Sequence, residues 1–183
     1  MSYPLLHEVL LDPRADPRVL DFALEQALLL KGPKVVFGDL QQDAKKFPQL
    51  FSAGPRASML DRSHHRHVWI GQSLFINLKD MSVAAAHDLF QKMISDVKHG
   101  ESLDDVYARY DGPNYSGRIG NYGDWVLSVA KHDGKPFRFI TIQDSHVKQL
   151  LNSKPGDLLI LDDDRTGEPY VVLYQVREIY SED

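Results

Sequence analysis

The chain has 183 residues and no cysteine, which excludes a disulfide framework, a thiolate metal site and a cysteine nucleophile. It also lacks an excess of positive charge. Its 21 Lys and Arg stand against 26 Asp and Glu, a net charge of −5, which argues against wholesale nucleic-acid binding or adhesion to an anionic membrane. No apolar run approaches the roughly 18 residues of a membrane span. The opening MSYPLLHEVLLDPRADPR has neither the basic start nor the long apolar stretch of a secretion signal, so a cytoplasmic location is expected. Gly-x-Ser-x-Gly is absent, and with it the strained elbow of a serine hydrolase. Gly117, Gly120 and Gly123 recur at every third position, which matches neither a dinucleotide fingerprint nor a phosphate loop.

What is present is the composition of a globular protein: 43% hydrophobic and 26% charged residues, enough for one domain with an appendage. Asp16-Pro17, then an apolar stripe at Leu20, Ala23, Leu24, Ala27 and Leu28, then Gly32 predict a capped helix with a glycine stop. A short apolar run, Val35-Val36-Phe37, follows, and QQDAKKFPQLFSAG reads as a helix broken by Pro48. Residues 53–66 read as a polar, basic connector, dividing a helical N-terminal segment (1–64) from a second domain (65–183).

Beyond it, His67–Ile70 and Ser73–Leu78 carry the β-branched and aromatic residues of strands. Ser82 predicts the cap of a long helix ending at Gly100, with Ala86, Leu89, Phe90, Met93, Ile94 and Val97 at helical spacing. Ser102 and Asp105 resemble a capping box opening a shorter helix. Residues 111–124 read as a glycine-rich loop. Strands are expected at 125–129 and 137–142, a helix at 145–151, and a hairpin from 157–161 and 170–177. Strands widely separated in sequence, with helices grouped between them, predict an α+β fold.

Two motifs invite a metal and neither is complete. His64, His65 and His67 near Asp61 lack a second, distant ligand pair. Asp162, Asp164 and Thr166 mimic the start of a calcium loop, but its twelfth position is Leu173, where a bidentate glutamate is needed. No metal and no cofactor are expected.

Several weak motifs stand in a telling order. His67 precedes Val68-Trp69-Ile70. Gly100-Glu101-Ser102-Leu103 opens an amphipathic helix ending at Tyr110-Asp111. Gly117-Arg118-Ile119-Gly120-Asn121-Tyr122 follows, and Lys154-Pro155-Gly156 is answered by Gly167. In this order residues 67–177 resemble the parvulin (rotamase) family of peptidyl-prolyl isomerases. The resemblance implies a parvulin-like domain of the FKBP-like superfamily: a small, mostly antiparallel sheet surrounded by helices, preceded by a helical N-terminal segment. It implies His67 and Asp111 as catalytic residues, and Tyr122, Ile142, His146 and Leu150 as the substrate-binding cup. The partners it implies are a protein or peptide substrate, or a protein complex; nucleic acid is not expected.

The chain departs from the family at telling points. Where parvulins place a second histidine it has Pro169, and the pocket methionine and phenylalanine fall on Ile142 and His146. Rotation about a Xaa-Pro bond faces about 18–20 kcal/mol of amide resonance and breaks no bond. An isomerase therefore needs only an apolar cup and a dry rim that favours the twisted amide. The leading readings are a peptidyl-prolyl isomerase or foldase-type chaperone and a catalytically inactive parvulin-like module that binds a partner or serves in an assembly; a third is a β-barrel-like RNA or partner binder built on the final hairpin. The second draws on Tyr115, Tyr122 and Trp125, aromatics of the kind that anchor interfaces.

Overall fold

The computed structural model describes residues 4–79, 81–110, 118–129, 136–137, 142–164 and 167–181. Four helices come first: α1 (Pro4–Leu11), α2 (Pro17–Lys31), α3 (Pro33–Lys46) and α4 (Gly54–Arg62), with a 3-10 turn at Pro48–Leu50. Then follow β1 (Arg66–Asn77), α5 (Val83–Lys98), α6 (Leu103–Tyr110), β2 (Ile119–Val129), β3 (Pro136–Phe137), α7 (Asp144–Asn152), β4 (Leu158–Asp163) and β5 (Tyr170–Tyr180). The strands form one sheet in the order β3-β2-β1-β5-β4. β3 pairs antiparallel with β2, and β4 with β5, from Leu158 opposite Gln175 to Asp163 opposite Tyr170. Contacts of His67 with Ser128 and of Ser73 with Gly123 make β1 and β2 antiparallel. Contacts of Gly71 with Arg177 and of Leu78 with Pro169 do the same for β1 and β5. The chain is α+β.

The expected caps form. The Asp16 carboxylate accepts from the Arg18 N–H at 2.8 Å, and Gly32, at φ 80°, donates its N–H to the Leu28 carbonyl. Ser82 accepts from the Ala85 N–H at 3.2 Å. Ser102 accepts from the Asp105 N–H at 3.1 Å and donates to the Asp105 carboxylate at 2.6 Å.

Four local expectations are corrected. Val35-Val36-Phe37 is not a separate run but part of one helix, α3, because Val36, Phe37 and Leu40 share a buried face; the helix ends at Lys46 and the break expected at Pro48 forms. Residues 53–66 are no connector. They contain α4, whose Arg56, Met59 and Arg62 are buried; Arg56 donates to the Leu10 carbonyl at 2.8 Å and to the Asp12 carbonyl, so its charge is solvated by backbone rather than water. The two strand pieces at 67–70 and 73–78 are one strand, which runs through Gly71, where a Cβ would lie 2.8 Å from Arg177 Nε. Finally, residues 119–124 are strand rather than loop.

The chain divides into two compact units, and the division does not follow the boundary at 64/65. The first comprises residues 1–69, 125–141 and 178–183; the second comprises 70–124 and 142–177. In the first, Leu20, Leu24 and Leu28 of α2 pack with Phe37 and Leu40 of α3 and Met59 of α4. In the second, Phe90 and Met93 of α5 and Val106 of α6 pack on Leu74, Ile76 and Leu173 of the sheet. Each such fully buried side chain contributes about 1.5–3 kcal/mol.

Candidate functional site

His67 belongs to the first unit and is 0% exposed. Its Nε2 lies 2.8 Å from the Arg62 carbonyl, which can only accept, so Nε2 carries the hydrogen. Nδ1, 2.7 Å from Ser128 Oγ, is therefore the acceptor and the hydroxyl donates. Phe37 stacks on the ring at a centroid distance of 4.2 Å. Burial disfavours the imidazolium, the Arg62 carbonyl partly opposes that, and nearby His65 and Arg62 add to it; the pKa falls from 6.5 to about 3. His67 is a neutral imidazole with both nitrogens engaged.

Tyr122, Ile142, His146 and Leu150 belong to the second unit. Ile142, His146 and Leu150 are buried. His146 Nε2 donates to the Asp162 carbonyl at 2.7 Å, and the Tyr174 hydroxyl donates to Nδ1 at 3.2 Å. The polar group that stands where the resemblance puts a phenylalanine is thus paired, which avoids the roughly 1–3 kcal/mol penalty of an orphaned buried group. Asp111 and Tyr115 lie outside the described residues. Trp125, expected at a surface, is buried in the first unit.

Tyr122 is the exception among the candidates: it is 61% exposed. Its ring stacks on Phe75 of β1 at 4.2 Å and 22°. On Phe75 the Tyr170 ring of β5 stands edge-on at 5.6 Å and 78°. Such offset and edge contacts are worth about 0.5–1.5 kcal/mol beyond area burial. The arrangement depends on Gly120. Phe75 lies over its backbone so closely that a Cβ would come within 2.1 Å of the ring. Two residues on, Tyr122 shares the strand face of Gly120 and reaches the same ring.

Backbone features hold β2 in place beneath the rings. Gly123 takes φ 75°, donates its N–H to Asn121 Oδ1 at 2.6 Å, and its carbonyl accepts from Ser73 Oγ at 3.1 Å. At the rim the Tyr170 hydroxyl donates to Glu168 at 3.1 Å, and Glu168 pairs with Lys79. The Lys79 ammonium, then the Tyr170 hydroxyl, hold the Glu168 carboxyl below its usual range, and the Glu168 carboxylate raises the Tyr170 phenol. The surface is a stacked aromatic pair with a charged, hydrogen-bonded edge. Among the described residues no three His, Asp or Glu side chains converge to hold a metal ion.

Sequence gives no local mark of Phe75, Tyr170, Glu168 or Lys79 as members of this surface, and it offers Gly120 only as part of a glycine-rich loop. Strand periodicity over 119–124 places Gly120 and Tyr122 on one face, but gives no sign of Phe75, which lies in another strand. Comparison of the chain with protein-family models, with curated proteins and with solved structures gives no match.

Proposed function

We propose that the protein is a non-catalytic module of parvulin-like type that binds an extended segment of a protein partner on the Phe75–Tyr122–Tyr170 surface. The observation that carries this reading is Tyr122: a large aromatic side chain, mostly exposed, yet fixed in place by Phe75 and Gly120. A rigid aromatic face costs little conformational entropy on binding and is the kind of anchor that dominates interfaces. The isomerase alternative asks His67, Ile142, His146 and Leu150 to touch a substrate. All four are buried, and both histidines already use both ring nitrogens within the fold.

The test has two arms. A display library of extended peptides is selected on the wild-type protein, and Kd is then measured for wild type and Tyr122→Ala. The expected result is a loss of tenfold or more in the variant, about 1.4 kcal/mol, with a thermal midpoint lowered by no more than the few degrees that the lost stacking on Phe75 accounts for. In parallel, a protease-coupled assay on Xaa-Pro tetrapeptides is expected to show no acceleration. Equal affinities for both proteins, or catalysis by the wild type, would overturn the reading.

A further inference from the structure

In the second unit β4 is an edge strand: in the order β3-β2-β1-β5-β4 only β5 flanks it. The Val176 N–H donates to the Asp157 carbonyl at 2.9 Å, so along the β4–β5 ladder Asp157, Leu159, Leu161 and Asp163 turn their backbone groups toward β5. Leu158, Ile160 and Asp162 turn theirs outward. The outward carbonyl of Asp162 is taken by His146 Nε2 at 2.7 Å. The outward N–H and C=O groups of Leu158 and Ile160 have no partner among the described residues. Around them Leu158, Leu159 and Ile160 are half-buried, and β4 holds neither the proline nor the lysine that ordinarily blunts an edge.

Another strand fits such an edge, and symmetry selects which. Laid antiparallel on a second copy of itself with Leu159 at the centre, β4 sets Leu158 opposite the second copy's Ile160, and Ile160 opposite its Leu158. Both pairs join residues whose peptide groups are open, each pair exchanging both N–H···O bonds. Centring on Ile160 instead would set Leu158 against Asp162, whose carbonyl His146 already holds. The side chains brought together are aliphatic on both faces, Leu158 beside Ile160 on one and Leu159 beside Leu159 on the other. Charge agrees with this register: the turn carrying the exposed Lys154 comes beside the exposed Asp164 of the other copy, twice by symmetry. Asp164 accepts from the amide of Gln143 at 2.7 Å, a neutral donor that leaves its charge in place. We propose that the protein self-associates as a two-fold dimer by antiparallel pairing of β4 with β4, which joins two five-stranded sheets into one. The edge is independent of the aromatic surface, to which β4 contributes no residue.

Sedimentation velocity of the full chain across about 1 μM to 1 mM should show a reversible monomer–dimer equilibrium. Leu159→Lys sets two ammonium groups opposite each other and should weaken the dimer tenfold or more. Lys154→Glu and Asp164→Lys should each weaken it severalfold, and the double reversal should restore it, which damage to the fold would not do. The chain has no cysteine, so Leu159→Cys carries a single thiol. In a non-hydrogen-bonded pair the two Cα atoms lie about 4.5 Å apart, within disulfide reach. Mild oxidation should therefore give a covalent dimer of Leu159→Cys and little of Asn152→Cys, an exposed position on α7. A chain that stays monomeric, whether its edge is bare or takes up an added extended peptide, would overturn the proposal. So would a dimer indifferent to Leu159→Lys, a double reversal that restores nothing, or equal cross-linking of the two cysteine variants.

Discussion

At the scale of single residues, burial sets the behaviour of the polar side chains. His67 has a folded pKa of about 3 against 6.5 in the unfolded chain. Between those values the unfolded state binds the proton and the folded state does not. The stabilisation that neutral His67 provides is therefore complete above pH 6.5 and lost as the pH falls toward 3. At 1.36 kcal/mol per pH unit the full loss is about 4–5 kcal/mol as an order of magnitude. Urea unfolding followed across pH 7 to 4 should show this slope, and His67→Gln should reduce it by about one proton. A wild-type slope unchanged in the variant would mean other groups carry the acid sensitivity.

Gly120 makes a second prediction at this scale. Gly120→Ala drives a methyl into the Phe75 ring and should cost about 1–3 kcal/mol by overpacking. Because ring and methyl compete for one space, Gly120→Ala with Phe75→Leu should lose less than the sum of the two single variants, measured in a double-mutant cycle. Additivity would show that the ring moves aside freely.

At the scale of elements, the helices rest on local signals and on a face to bury. α5 starts at Ser82, whose side chain takes one of the N–H groups its first turn leaves unpaired. Ser82→Ala should lower stability by about 1 kcal/mol, and Ser82→Asp should restore it, both read from urea midpoints. Strands behaved differently. Helix α2 is legible to within a residue and helix α5 to within two, because cap, stripe and stop all lie within one short segment. The glycine-rich stretch before Trp125 carries no local strand signal, because what covers Gly120 is Phe75, which lies in another strand. Glycine alone gives no sign of such a partner.

At the scale of the whole molecule, β1, β2 and β5 each contribute residues to both compact units. The first unit cannot be built from residues 1–64, since Val126 and Tyr180 pack against its core and Ser128 completes the hydrogen bonding of His67. A fragment beginning at residue 65 should therefore expose those side chains, bind a hydrophobic dye and lose the sharp thermal transition of the full chain. Cooperative unfolding of that fragment with an unchanged midpoint would show that the boundary at 64/65 is a true domain boundary.

The candidate site divides along the same line. Its exposed member, Tyr122, could be named from sequence as an aromatic in a glycine-rich stretch. Which candidates face solvent and which lie in the core could not be, because Ile142, His146 and Leu150 carry no local mark of the surfaces that cover them. Composition, capping residues and hydrophobic periodicity act over a few neighbouring residues, and so the sequence by itself determined the α+β class and most element positions. Burial, strand pairing and the pairing of His67 with Ser128 or His146 with Tyr174 join residues 61 and 28 positions apart. Only the tertiary structure decided them, since a contact between distant segments depends on how both are packed and neither segment encodes it alone.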